Sequence, residues 1–148
     1  MPETQNQLLK VAIDAMGGDN APSVPVEGAV QAAKSGLAEV FIVGDSDLVQ
    51  QELAKHEIGG LPVHFVPSEG KIEDNEPPAL ALRQKPTASI LVATNLVKNN
   101  TVDAVISMGS TGGAMAASVV LLGTIEGIER PAIGGPIIGS APNQPFLI

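Results

Sequence analysis

The sequence predicts an α/β protein built on a largely parallel sheet. Two observations carry that reading. Short apolar runs alternate with stretches of helical periodicity, each pair joined by a glycine-containing turn. The chain also has three Phe and no Trp or Tyr, so its core is built from Val, Ile, Leu and Ala. Cores of that kind suit parallel strands buried on both faces. Repeated strand–helix units imply right-handed crossovers between neighbouring parallel strands.

Each element follows in order. Leu9 to Asp14 reads as the first strand and drops into the turn Ala15-Met16-Gly17-Gly18-Asp19. Pro22 suits a helix opening, and Pro25 to Ser35 carries Val26, Ala29, Val30 and Ala33 at helical spacing, with Gly36 as the stop. Glu39 to Val43 is the second strand. Ser46 is the expected cap of a helix running to about His56, with Leu48, Val49 and Leu53 on its buried side. Val63 to Val66 is the third strand. The segment from Pro67 to Pro78 is polar and acidic, and a short helix carrying Arg83 starts at Pro77-Pro78. Thr87 is the expected cap of the next helix, to Lys98, with Ile90, Leu91, Thr94 and Val97 at compatible spacing. Asp103 to Ser107 is the fourth strand, and Ala114 to Leu122 the helix after its glycine-rich turn. Ile133 to Gly139 is apolar and glycine-rich, and Phe146-Leu147-Ile148 reads as the start of a further strand. The chain is therefore expected to be a single α/β domain over residues 1–148, forming the N-terminal portion of a longer protein.

Composition narrows the function. Length (148 residues) and a hydrophobic fraction of 44% fit one folded domain. The absence of cysteine removes disulfides and thiolate chemistry. A net charge of −8 argues against general nucleic-acid binding. Met1 to Lys10 lacks an apolar signal core, and Ala114 to Leu122 is too short to span a bilayer. The expected location is the cytoplasm.

Two loops carry the chemistry. The first, from Asp14 to Asp19, follows a strand; its glycines allow a sharp bend or close approach of a ligand. The second is Ser107-Met108-Gly109-Ser110-Thr111-Gly112-Gly113, between a strand and a helix. Unpaired amides at a helix N-terminus suit phosphate, and the hydroxyls of Ser107, Ser110 and Thr111 add donors. It lacks the Gly-Lys-Ser/Thr ending of a Walker loop. Either loop alone fits tight packing equally well; both at strand ends point to a small anion. Asp14 and Asp19 are expected to orient donors, with magnesium ligation the lesser alternative. Arg83 and Lys85 are close together, with Lys71 in the same inter-element region; charges like Arg83 and Lys85 are more often solvated surface groups, but their position beside a proline-rich loop would let these two clamp phosphate. His56 and His64 are not expected to be catalytic.

Five segments together resemble the bacterial acyl-carrier-protein:phosphate acyltransferase family of phospholipid synthesis. They are Ile13 to Asp19 with Ala21-Pro22; Val43-Gly44-Asp45; Glu76-Pro77 through Ala81, Arg83 and Lys85; Val105-Ile106-Ser107 with Gly109, Thr111, Gly112 and Met115-Ala116; and Leu122-Gly123 with Gly127-Ile128 and Arg130-Pro131-Ala132. They stand in family order across nearly the whole chain. The chain departs from the family pattern at Asn20 (usually His), Ser110 (usually Asn), Gly113 (usually Ala) and Ala88-Ser89 (usually a Ser pair). The resemblance implies a doubly wound α/β/α sandwich of the isocitrate/isopropylmalate-dehydrogenase-like kind. It implies transfer of a fatty acyl group from acyl carrier protein to inorganic phosphate, with no cofactor and no metal. It further implies a homodimer and peripheral association with the inner face of the membrane.

In that frame Asp14, Asp19, Arg83 and Lys85 are the expected catalytic residues. Gly17, Gly18, Ser89, Ser107, Gly109, Ser110, Thr111 and Gly112 are the expected substrate and phosphate contacts. Two alternatives remain at this point: an actin-like sugar kinase, which also uses a strand, an Asp and a Gly-Gly turn, and a non-catalytic module that binds the carrier protein.

Overall fold

The computed structural model describes residues 8–134, 136–138 and 145–147. Four strands form one all-parallel sheet in the order β3-β2-β1-β4: β1 (Leu9–Asp14), β2 (Ala38–Gly44), β3 (Val63–Pro67) and β4 (Ala104–Ser107). Among the described residues five helices accompany them: α1 (Ser23–Lys34), α2 (Ser46–Leu53), α3 (Pro78–Gln84), α4 (Ser89–Lys98) and α5 (Thr111–Leu122). A separate antiparallel pair, β5 (Pro136–Ile138) and β6 (Pro145–Leu147), follows. The strand start expected at Phe146 falls in β6, whereas Ile148 and much of the Gly-rich run before it lie outside the described residues.

The sheet is doubly wound because its strands alternate apolar residues to two buried faces. Val40 and Ile42 of β2 pack with Val26, Ala29 and Val30 of α1 and Val49 of α2. Val43 of β2 and Ala12 of β1 face the other way, against Ala93 of α4 and Val102. A third cluster joins α3, α4 and α5 through Ala81, Leu82, Leu91 and Ala117. Ile42 and Val43 are fully buried; each such side chain contributes about 1.5–3 kcal/mol of burial.

Several helix starts differ from the expected positions. The cap of α2 is Asp45, whose Oδ1 accepts from the Asp47 and Leu48 amides at 3.0 Å each. Ser46 becomes the first helical residue, and Leu48 points outward at 44% exposure. The start of α4 is Ser89, with Ala88 at the cap position and no side-chain cap. Thr87 instead donates its hydroxyl to the Glu69 carbonyl at 3.4 Å, joining the two loop segments. α5 begins at Thr111, three residues earlier than expected, because the Ser110 hydroxyl accepts from the Gly113 amide at 3.2 Å and draws the glycines into the first turn.

The strand order places the site. From β1 the chain crosses to β2 on one side, and from β3 it returns to β4 on the other. The reversal lies between β1 and β4, the switch point where open α/β sheets bind ligands. There Asp14 and Ser107 stand opposite each other in register, each the last residue of its strand.

Candidate phosphate-binding cleft

Asp14 is buried, and both its oxygens are occupied. Oδ2 accepts from the Ser107 hydroxyl at 2.7 Å, and Oδ1 accepts from the Met16 amide at 3.1 Å. Ser107 Oγ in turn accepts from the Gly109 amide at 3.1 Å. One carboxylate thus fixes the turn after β1 and, through one hydroxyl, the turn after β4. The Asp14 carboxylate itself holds one backbone amide and one hydroxyl.

The same bonding draws the two glycine loops into contact. A Cβ on Gly17 would lie 2.7 Å from the Gly109 nitrogen and 2.9 Å from both Asp14 Oδ2 and Ser107 Oγ. Gly18 holds φ at +97° with Met108 Cβ just beyond it, a conformation that L side chains rarely adopt. The glycines therefore serve tight packing and at the same time keep side chains off the surface that remains.

That surface opens into a polar cleft of about 280 Å³ walled by Gly17, Gly18, Asp19, Gly109 and Ser110, and by the loop residues Lys71 to Asp74 opposite them. The N-terminus of α5 lies at its edge. Ser110 occupies the Gly113 amide, which leaves the first-turn amides of Thr111 and Gly112 without carbonyl partners inside the helix. Charges on the wall are mixed: Asp19, Glu73 and Asp74 against Lys71. A second cleft, of about 550 Å³ and mostly apolar, lies along α1 with Val24, Gly28, Ala32, Ile13 and Ile106 on its walls. Gly17, Gly18, Asp19 and Met108 line both clefts, so the polar and apolar spaces adjoin at the first glycine loop.

The remaining expected site residues are spread more widely. Thr111, with Ser107 and Gly109, lines a neighbouring cleft along β4 and α5. Gly112 faces Pro78, 2.9 Å from where its Cβ would stand. Arg83 is exposed on α3 and lines a different, apolar cleft between α3, α4 and α5. Ser89 is buried at the start of α4, and its hydroxyl has no partner among the described residues. Lys85 is half-buried and donates to both oxygens of Glu76, at 2.6 and 2.7 Å, and to the Lys71 carbonyl at 3.0 Å. The Lys85 ammonium and the Glu73 amide hold the Glu76 carboxyl below its ordinary value of 4.5.

Lys71, which the sequence placed only in the general region, is the lysine on the cleft wall. Its ammonium lies 3.4 Å from Glu73 Oε2. The signal that could have singled it out is its position directly after Gly70, where the loop between β3 and α3 turns with φ at +77°. The course of that loop depends on contacts distant in sequence, so the signal is a weak one. Among the described residues no three metal-ligating side chains converge, and no helix is long and apolar enough to cross a membrane.

Comparison with known proteins adds to this geometry. A family model described as "Fatty acid synthesis protein" matches residues 9–142. Proteins named "Phosphate acyltransferase" are similar over 139 residues, 94% of this chain: 48% identical in Acaryochloris marina and 46% in Synechocystis. A relative of the same name in Pelotomaculum thermopropionicum is 47% identical over the same length. The chain spans about 40% of the length of these curated relatives.

Proposed function

The chain belongs to the family of fatty acid synthesis proteins, and on that premise we propose that the complete protein transfers a fatty acyl group from acyl carrier protein to inorganic phosphate. The observation that carries the reading is the junction of the two clefts at Gly17, Gly18 and Met108. A small polar space meets a larger apolar one there, as an acyl phosphate with an anionic head and a hydrocarbon tail requires.

The chemistry needs no nucleophilic side chain. Phosphate is itself an anionic nucleophile near neutral pH. One of its oxygens attacks the thioester carbonyl carbon, the carbon–sulfur bond breaks, and the carrier leaves as a thiolate that takes up a proton. The protein's task is to hold the two reactants together and to meet the oxyanion with fixed donors. The amides of Thr111 and Gly112 at the start of α5 are those donors, with Asp14 and Ser107 holding the two glycine loops in place beside them and Asp19 at the mouth. Lys71 on the cleft wall offsets part of the charge of phosphate; Arg83 lines a different cleft and Lys85 is bonded to Glu76 and the Lys71 carbonyl. The chain is acidic, so an acidic carrier would dock on a basic surface supplied outside these residues or by a second subunit of a homodimer. The setting proposed is the cytoplasm, at the periphery of the membrane.

Trapping of acyl phosphate with hydroxylamine tests the reading on the full-length protein. Product should appear from acyl carrier thioester and phosphate together, and not from either alone. Stabilisation by a nucleoside triphosphate, with none by phosphate, would instead favour the sugar-kinase alternative.

A further inference from the structure

We propose that Lys85 acts on the cleft as a positioning residue, holding the loop of residues 71–76 folded on itself so that Lys71 is the cation that meets phosphate. The inference rests on the phosphate-transfer reading above. It changes the part that Lys85 plays: its three bonds reach the loop, and none reaches the cleft.

The brace is a closed set of contacts. Lys85 Nζ donates to the Lys71 carbonyl at 3.0 Å and to the Glu76 carboxylate at 2.6 and 2.7 Å. Glu76 Oε2 accepts from the Glu73 amide at 3.1 Å, and the Glu76 amide donates to the Glu73 carbonyl at 3.2 Å. One ammonium therefore ties both ends of the loop, with the chain between them folded on itself. The side chains of Lys85 and Glu76 are about one-third exposed (33% and 31%), and the pair is distinguished by its geometry, with both carboxylate oxygens accepting from one ammonium.

Lys71 is held differently. Its ion-pair partner among the described residues is Glu73 at 3.4 Å, and both side chains are more exposed than those of the Lys85–Glu76 pair, at 42% and 49%. Such a pair is weak and exchangeable. A phosphate entering between Gly17, Gly18 and Ser110 offers Lys71 a doubly charged partner within the same cleft. Without the brace the Lys71 carbonyl loses its partner and the turn from Glu73 to Glu76 its anchor, while Gly70 stays held by the Ser89 amide at 3.1 Å and Ile72 by burial, so the loop loosens at Lys71 and beyond Ile72. The wall would then be left to Asp19, Glu73 and Asp74, which repel phosphate.

The test compares signs. In the full-length protein, Lys71→Ala, Lys85→Met and Glu76→Gln should each raise the KM for phosphate about tenfold while kcat stays within about twofold. Lys71→Ala with Lys85→Met should be no worse than about the more affected single variant, since both remove one function. Lys85→Arg, which keeps the bidentate grip on Glu76, should recover most of the loss. If Lys85 touched phosphate directly, Glu76→Gln would lower the KM, because it removes a competing carboxylate, and the double variant would multiply the two losses; either result overturns the proposal. Thermal unfolding reports whether each variant is folded. Should Lys85→Met fail to fold, Glu76→Gln against Lys85→Arg still decides the sign. Should the wild type form no acyl phosphate, the transfer reading falls, and the proposal is then read from phosphate binding by 31P line broadening: weakening in both Lys71→Ala and Glu76→Gln supports it, and tighter binding in Glu76→Gln overturns it.

Discussion

Gly17 and Gly109 meet at a distance that admits no methyl group on the first of them. The atoms a Cβ would strike are a backbone nitrogen, a buried carboxylate and the hydroxyl bonded to it. None of these can yield by rotating a flexible chain end. Gly17→Ala must therefore push the two loops apart and break the Asp14–Ser107–Gly109 line. Acyl phosphate formation should fall by about 100-fold or more, since displacing reacting groups by about 1 Å costs that much. Overpacking of this kind should cost about 1–3 kcal/mol of stability in urea unfolding, comparable to the roughly 2.7 kcal/mol that a 100-fold loss of rate represents. A variant that unfolds easily yet turns over normally would contradict this account. Asp14 and its loop were legible in the sequence because a short apolar run, an acid and two glycines form a local pattern. The partner loop's arrival at Gly17 was not, because it depends on the register of strands 93 residues apart.

At the scale of elements, strands were read more sharply than helix starts. β1 matches the expected range, because the short apolar run Val11-Ala12-Ile13 at its centre ends at Asp14 and the glycine turn. Helix starts depend on which of several neighbouring acceptors takes the free amides, and periodicity does not choose between them. Asp45 and Ser46 are both good caps by type; the backbone at Asp45 is extended, and this makes it the one that folds back. Asp45→Ala should accordingly destabilise the chain by about 1 kcal/mol, while Ser46→Ala should be near neutral, both read from urea midpoints. Lys85 shows the same limit from the other side. Its charge and neighbourhood were visible, but its partners stand 9 and 14 residues away across a loop without periodicity. Arg83, close to it in sequence, faces a different cleft because α3 turns it toward α4 and α5.

For the molecule as a whole, the doubly wound architecture follows from alternation along β2, which sends Val40 and Ile42 to one core and Val43 to the other. That arrangement grades stability across the sheet. β1 and β2 each have strand neighbours on both sides, whereas β3 and β4 are its outer strands. Native-state hydrogen exchange on the 148-residue chain should find the slowest amides in β1 and β2, with β4 exchanging faster. Equal protection across all four strands would mean that the β4 edge is covered in solution. The strand order also has a consequence for how the chain comes together. β1 is made first but lies beside β4, so the Asp14–Ser107 bond closes a loop of 93 residues. Local pairings of β1 with β2 and β2 with β3 can form before that closure is reached. The cleft is thus expected to assemble late in folding, and until it does β1 presents one unpaired edge to other nascent chains.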